Sequence, residues 1–324
     1  MNSSTSRTET AFVTCACAKD IHYAKSLLGS ISFFYPSHLI HIILDSDVPN
    51  RDEQQLRRFP NVTVHSAKSL PSGVADDLSG LLTKLRMLFI PGITRAIFAD
   101  ADSILVGPVL NHIDETCAIH CLHSQALNFD NPSEKASFYR WAVDVRQLPL
   151  ELKTEMGKPH IFMQGSHFYI NKALFPMNLV RSLRPYMGTS HASNAALRAG
   201  DQGFFNYVVN AADSIRCAVK CTSVTLQVGQ SPHDSSFDNV CEFIRGETDK
   251  IYFLHYVGNC RCYLRQRHEY SAALTWGTRL YYEAVGRTEF IPDEIRRTLR
   301  VISRTALGGL RLLLKPFVKQ RETE

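Results

Sequence analysis

The chain has 324 residues and a formal net charge of +5, with 44% apolar and 21% charged residues. That balance belongs to a globular protein rather than a disordered or fibrous one. So mild a charge does not suit an obligate nucleic-acid binder, and no uncharged apolar stretch reaches the roughly 18 residues that cross a bilayer. The opening MNSSTSRTET is polar and leads into no apolar signal core, so residues 1–10 read as a disordered N-terminus and the expected location is cytoplasmic. The nine cysteines are therefore read as reduced thiols. Their close pairs, Cys15/Cys17, Cys117/Cys121, Cys217/Cys221 and Cys260/Cys262, lack the knuckle spacing of zinc sites and lie in apolar runs.

In chain order, AFVTCACA (11–18) predicts a buried strand. Tyr23, Leu27, Leu28, Ile31 and Phe34 recur at helical spacing, and Pro36 ends that helix. LIHIILDS (39–46) predicts a second strand, VPNRDEQQLRRFP (48–60) a polar helical crossover, and NVTVHSA (61–67) a third strand. LLTKLRMLFIPGI (81–93) contains a helix stopped by Pro91-Gly92, and RAIFADADS (95–103) is the fourth strand. Strands alternating with helices predict an α/β fold, a mostly parallel sheet with helices on both faces. Such sheets bind ligands beyond the carboxyl ends of their strands.

Residues 120–160 read as irregular and polar, with NFDNPSEKASFYRW (128–141) the most loop-like part. Then come an apolar run, IFMQGSHFYIN (161–171), a helix over 172–184, GDQGFFNYVVNAA (200–212) and the strand-like IYFLHYVGN (251–259).

Asp100 and Asp102 stand where the fourth strand ends. If strand geometry persists to Asp102, the two carboxylates share one face. They then repel, and a divalent cation resolves the conflict; hard oxygen ligands suit Mg²⁺ or Mn²⁺. The bland alternative is an acidic turn. Haloacid-dehalogenase phosphatases also place two such aspartates after an apolar strand, but near the start of the fold, whereas three strands precede this pair.

FADADSILVGPV (98–109) resembles the metal-binding segment of GT-A-fold glycosyltransferases, with the nearest likeness to glycosyltransferase family 8, the galactosyltransferase and glycogenin-like group. Five further stretches fall in that family's order over about residues 11–265. The resemblance implies a GT-A nucleotide-sugar domain there, Rossmann-like and holding Mn²⁺ or Mg²⁺. In AKDIHYAKSLLGSI, Asp20 would accept a hydrogen bond from uracil and Tyr23 would stack on it; a helix cap and a core tyrosine are the plain alternatives. In LLTKLRMLFI, Lys84 would reach the donor diphosphate, with Arg86 as a substitute.

IFMQGSHFYIN departs from the family's Asn-Ala at Met163 and Gln164; Gln164 would contact the sugar, and His167 is as readily a core residue. GDQGFFNYVV replaces the family's third acid by Gly203; Asp201 would hold a sugar hydroxyl and Gln202 would sit close to the anomeric carbon. By the same resemblance HYVGNCR would make His255 the third metal ligand, let backbone approach the diphosphate at Gly258, and pair Arg261 with the β-phosphate; a structural histidine after an apolar strand is the plain alternative.

The reaction so implied moves a sugar from a UDP-sugar to a hydroxyl of a glycan or lipid-linked acceptor, with retention of configuration, as in polysaccharide biosynthesis. A related nucleotidyltransferase would open with a Gly-rich basic signature, which AKDIHYAKS lacks. A degenerate GT-A domain that binds without turnover is the other alternative, prompted by Gly203 and the Met163-Gln164 pair. Residues 266–324 read as a helical extension. Within it, 291–319 carries an apolar stripe through Ile295, Leu299, Ile302, Ala306, Leu310, Leu313 and Phe317, with arginines largely off the stripe. Such a basic amphipathic helix either lies on an anionic membrane surface or docks on its own domain.

Overall fold

Strand β1 (Ala11–Ala16) is buried along almost its whole length, as a central parallel strand requires. It pairs in parallel with β2 (Ile40–Leu44) on one side and β4 (Arg95–Ala99) on the other, and β3 (Val62–Ser66) extends the sheet beyond β2. Across β4 the sheet continues through β9 (His167–Asn171), β6 (Ile119–Cys121) and β10 (Val219–Cys221). Only β9 runs against its neighbours, so the seven-stranded sheet is mixed but mostly parallel. A second sheet joins β11 (Thr225–Val228), β12 (Phe253–Tyr256) and β5 (Ser103–Leu105), and β7 (Ser124–Ala126) pairs with β8 (Ile161–Met163). The structure, a computed structural model, describes residues 10–45, 47–70, 80–187, 196–198, 200–214, 219–228, 251–256 and 270–286.

Helix α1 (Ile21–Phe34) packs against α7 (Tyr270–Val285), and glycines let the two backbones touch: a Cβ on Gly29 would strike the Gly277 carbonyl, and one on Gly277 the Ser26 carbonyl. Lys25, 3% exposed, lies in this layer, bonded to Gln55 of α2 (Asn50–Arg57). On the opposite face α6 (Asp201–Ser214) buries Phe204, Phe205, Val208 and Val209 in the larger core.

Three local readings need correction. NFDNPSEKASFYRW contains α3 (Pro132–Trp141), started by Asn131, whose side chain accepts from Ser133 N–H, with Pro132 in the first turn. That Asn-Pro start was legible as a cap, and α4 (Leu150–Met156) follows it. The 81–93 helix is a 3₁₀ segment, Gly80–Phe89. The expected helix over 172–184 is shorter, α5 (Met177–Leu183) with a 3₁₀ turn after it. The basic segment 291–319 lies outside the described residues, and no helix among the described residues is long and apolar enough to cross a membrane.

Candidate metal centre

Strand β4 ends at Ala99, and the chain turns through Ala101 and Asp102 before β5 begins. Strand geometry therefore does not persist to Asp102, contrary to the condition set by the sequence. The carboxylates converge because a turn carries the chain from one sheet into another. Asp100 N–H donates to Ser166 O at 3.0 Å, and Tyr256 N–H donates to Asp102 O at 2.8 Å, which ties the turn on both sides. In β12, His255 is registered opposite Ser103. Its Nε2 stands 3.7 Å from Asp100 Oδ2 and 3.4 Å from Asp102 Oδ1. Asp100, Asp102 and His255 each offer one ligand atom within 4.8 Å of the others.

Lys84 Nζ lies 3.0 Å from Asp100 Oδ1 and 2.5 Å from Asp201 Oδ2, and donates to Gly165 O at 2.9 Å. Burial alone disfavours the ammonium, but Asp100 and Asp201 outweigh it and push its pKa up. Burial raises Asp100 against the pull of Lys84, and pushes Asp201 up to about 6. Among the described residues, Asp100, Asp102 and Asp201 when ionised outnumber Lys84 by two charges. A divalent cation cancels that remainder, and two carboxylates plus one imidazole form a donor set that suits Mn²⁺ or Mg²⁺.

The surrounding loops are held by buried polar side chains that the sequence reading did not single out. On α6, Asn206 Oδ1 accepts from Met163 N–H at 2.8 Å, and its Nδ2 donates to Met163 O at 2.7 Å. One turn on, Asn210 accepts from His160 and Ile161 N–H at 2.9 and 3.2 Å. These two asparagines stitch β8 to α6 and set Gln164-Gly165 against the helix start. Two asparagines four apart inside an apolar helix were the available signal. Gly165 takes φ +68°, and a Cβ there would sit 3.5 Å from Asp201 Oδ2 and from Gln202 Cα. Gly203 has its own reason: a Cβ would lie 2.7 Å from Ala142 O and 2.6 Å from Arg198 N. A side chain of any kind, an acid included, would therefore collide with backbone at this position.

Lys84, Asp100, Asp102, Asp201 and His255 are thus brought together, with Gln164 and Gln202 flanking Gly165. Asp20 begins α1 without capping it by its side chain, and its Oδ2 accepts from Cys17 Sγ at 3.2 Å. Tyr23 is not at the site: it is 2% exposed and packs with Ile104, Leu254 and Tyr256, so its ring offers no open face for a base. A helical tyrosine pointing inward is the core alternative weighed for it. Gly258 and Arg261 lie outside the described residues. His167 is fully buried, and burial holds its pKa well below the ordinary imidazole value. Burial, then His255, pushes His123 down to about 3.

A mostly parallel seven-stranded sheet flanked by helices, with a carboxylate turn at the end of β4, is the GT-A fold of glycosyltransferases. Among solved structures, the chain is similar to a WbbM bifunctional glycosyltransferase, with a TM-score of 0.56 at 14% identity over 92% of this chain and 53% of that one. It spans about half the length of that protein. It also matches the apo form of the glycosyltransferase GlyE from Streptococcus pneumoniae TIGR4, with a TM-score of 0.48, 14% identity, and coverage of 85% and 63%. For the galactosyltransferase LgtC in complex with donor and acceptor sugar analogues the TM-score is 0.47, at 11% identity, with coverage of 85% and 96%. No protein-family model matches the chain, and no curated protein matches it in sequence. Identities this low carry the fold and leave the chemistry to the residues.

Proposed function

We propose that the chain is a metal-dependent glycosyltransferase that moves a sugar from a UDP-sugar to a hydroxyl of a glycan or lipid-linked acceptor, with retention. One observation carries the reading: at the carboxyl end of a GT-A sheet strand, Lys84 pairs with Asp100 and Asp201 while Asp100 and Asp102 converge on His255, so among the described residues carboxylates outnumber the lysine there.

Asp100, Asp102 and His255 would hold Mn²⁺ or Mg²⁺. The chemistry that ion supplies when bound is neutralisation of charge on the donor's diphosphate. Lys84 anchors Asp100 and Asp201 from below and adds fixed positive charge where negative charge develops on UDP. Arg261 and Gly258 are assigned to the diphosphate, and Asp20 to the uracil edge. Tyr23, being buried, is withdrawn from that role. Gln164 and Gln202, either side of Gly165, are placed against the transferred sugar, with Gln202 nearest the anomeric carbon and Asp201 on a sugar hydroxyl.

Asp201 Oδ2 is held at 2.5 Å by Lys84, so it is poorly placed as a nucleophile. A front-face displacement follows: the acceptor oxygen bonds to the anomeric carbon as the bond to UDP breaks, and the acceptor's proton passes to the departing phosphate. The segment 291–319 would either dock on its own domain or lie on an anionic membrane surface, the latter suiting a lipid-linked acceptor and a cytoplasmic enzyme peripheral to the inner membrane surface.

Isothermal titration of UDP, with Mn²⁺ and with EDTA, tests the reading in the wild type and in Asp102→Ala. Metal-dependent binding that the variant loses, followed by hydrolysis of a UDP-sugar, supports it. Binding without hydrolysis of any UDP-sugar points to a domain without turnover, and no binding by the folded protein overturns the UDP assignment.

A further inference from the structure

Beside the carboxylate pair lies a second group of ligating side chains. His123 lies between β6 and β7, His167 opens β9 and His255 sits in β12, so two strands and one strand connection deliver the imidazoles. One ring nitrogen of each falls within 4.8 Å of one from each of the others. The ring centroids are 5.3 Å apart for His167 and His255, 6.2 Å for His123 and His255, and 6.3 Å for His123 and His167.

Serine hydroxyls hold two of these rings. Ser166 Oγ lies 2.8 Å from His123 Nδ1 and 2.9 Å from His167 Nδ1, while Ser103 Oγ lies 2.8 Å from His167 Nε2. Ser166 has one hydroxyl hydrogen, so it donates to one Nδ1 and accepts from the other. The grip on Nδ1 leaves Nε2 as the ligating atom of His123. His255 is 7% exposed, and its Nδ1 is buried without a hydrogen bond. A buried polar nitrogen left in that state is uncommon and asks for a partner.

We propose that His123, His167 and His255 form a second cation site, taking an imidazole-preferring ion such as Zn²⁺ or Co²⁺, and that it shares His255 with the Asp100–Asp102 pair. Three imidazoles with a fourth position open are a donor set for zinc, whereas carboxylates and water favour Mg²⁺ or Mn²⁺. The serines become the outer partners that fix ring orientation, and His167 exchanges one hydroxyl bond for the ion. Because His255 belongs to both sets, an ion in one changes affinity at the other, and the coupling is reciprocal. The inference leans on the proposed function only for the identity of the neighbouring site.

The test uses the full chain stripped of metal. Zn²⁺ binding is measured by calorimetry, and Co²⁺ binding by visible absorption and by paramagnetically shifted imidazole N–H resonances. His123→Ala is expected to weaken Zn²⁺ by about 100-fold, while Asp102→Asn, which alters only an outer partner 3.4 Å from His255 Nε2, is expected to weaken it by about tenfold or less. His123→Gln, at a half-buried position, serves if the alanine variant fails to fold. Unchanged Zn²⁺ affinity in the folded His123 variant overturns the proposal. So does an Asp102→Asn variant that loses Zn²⁺ as fully as His123→Ala, since that describes one mixed site. If UDP does not bind but this zinc pattern holds, the glycosyltransferase reading falls and the second site stands; the reverse result separates them the other way.

Discussion

Two lysines, one buried and one largely so, show how the same side chain serves opposite ends. Lys25, between α1, α2 and α7, meets Gln55 Oε1, Tyr282 Oη at 3.5 Å and Asp52 Oδ1 at 3.6 Å, with the rings of Tyr281 and Tyr282 5.9 and 5.8 Å away. Among the described residues, one ammonium there faces one carboxylate. Lys84 meets Asp100 and Asp201, with Asp102 beyond, so among the described residues the carboxylates outnumber the ammonium. A balanced buried ion belongs to packing, and an unbalanced one marks a place where something charged is meant to bind.

The largest break in that contrast is expected from Asp102→Ala, which should cut UDP-sugar turnover by about 100- to 1000-fold. Removing one of several repelling carboxylates should leave the metal-free melting temperature unchanged or higher, so activity and stability should part company. Next, Lys84→Met should destabilise the metal-free protein by about 3 kcal/mol, because it strands buried carboxylates. Mn²⁺ should restore much of this in a thermal melt. Lys25→Met should cost about 2 kcal/mol, less because Asp52 is partly exposed, and Mn²⁺ should not help. An equal Mn²⁺ response in both lysine variants would erase the distinction drawn above.

Gly203→Ala should lose about 1–3 kcal/mol in urea unfolding through overpacking against Ala142 and Arg198, so the site's geometry would suffer without any charge being touched. The smallest effect concerns acid. His41 Nδ1 and His65 Nε2 lie 2.9 Å apart, and burial, then His65 and Lys172, pushes His41 down to about 4. An unfolded imidazole titrates near about 6.5, so between those values the unfolded chain binds more protons. This stability is present above the unfolded value and is lost as pH falls toward the folded one. His41→Gln should remove about 1–2 kcal/mol of the difference between urea melts at the two ends of that window. Asp201, raised by burial, acts with the opposite sign, which is why the variant comparison is needed.

Much of the central fold was legible because parallel strands buried on both faces appear as apolar runs between helices. The aspartate pair was legible for the same reason: carboxylates interrupting such a run are conspicuous. Their geometry was not, since the turn that brings Asp100 and Asp102 to His255 depends on β5 leaving for another sheet. Periodicity likewise could not tell that Tyr23 faces the core, because one tyrosine on a helix looks alike inward or outward. The α3 helix was hidden by its polar composition, with Phe138 its one buried residue. The imidazole group was invisible because its members, His123, His167 and His255, stand far apart in the chain, and the antiparallel return of β9 helps set them side by side.

The contact of Gly29 with Gly277 joins residues far apart in the chain. On the ribosome, α1 emerges early with a surface shaped for a helix that has not been made. That surface must stay exposed, or be shielded by chaperones, until α7 clears the exit tunnel. A stalled or shortened transcript therefore yields an uncovered α1 rather than a smaller working unit.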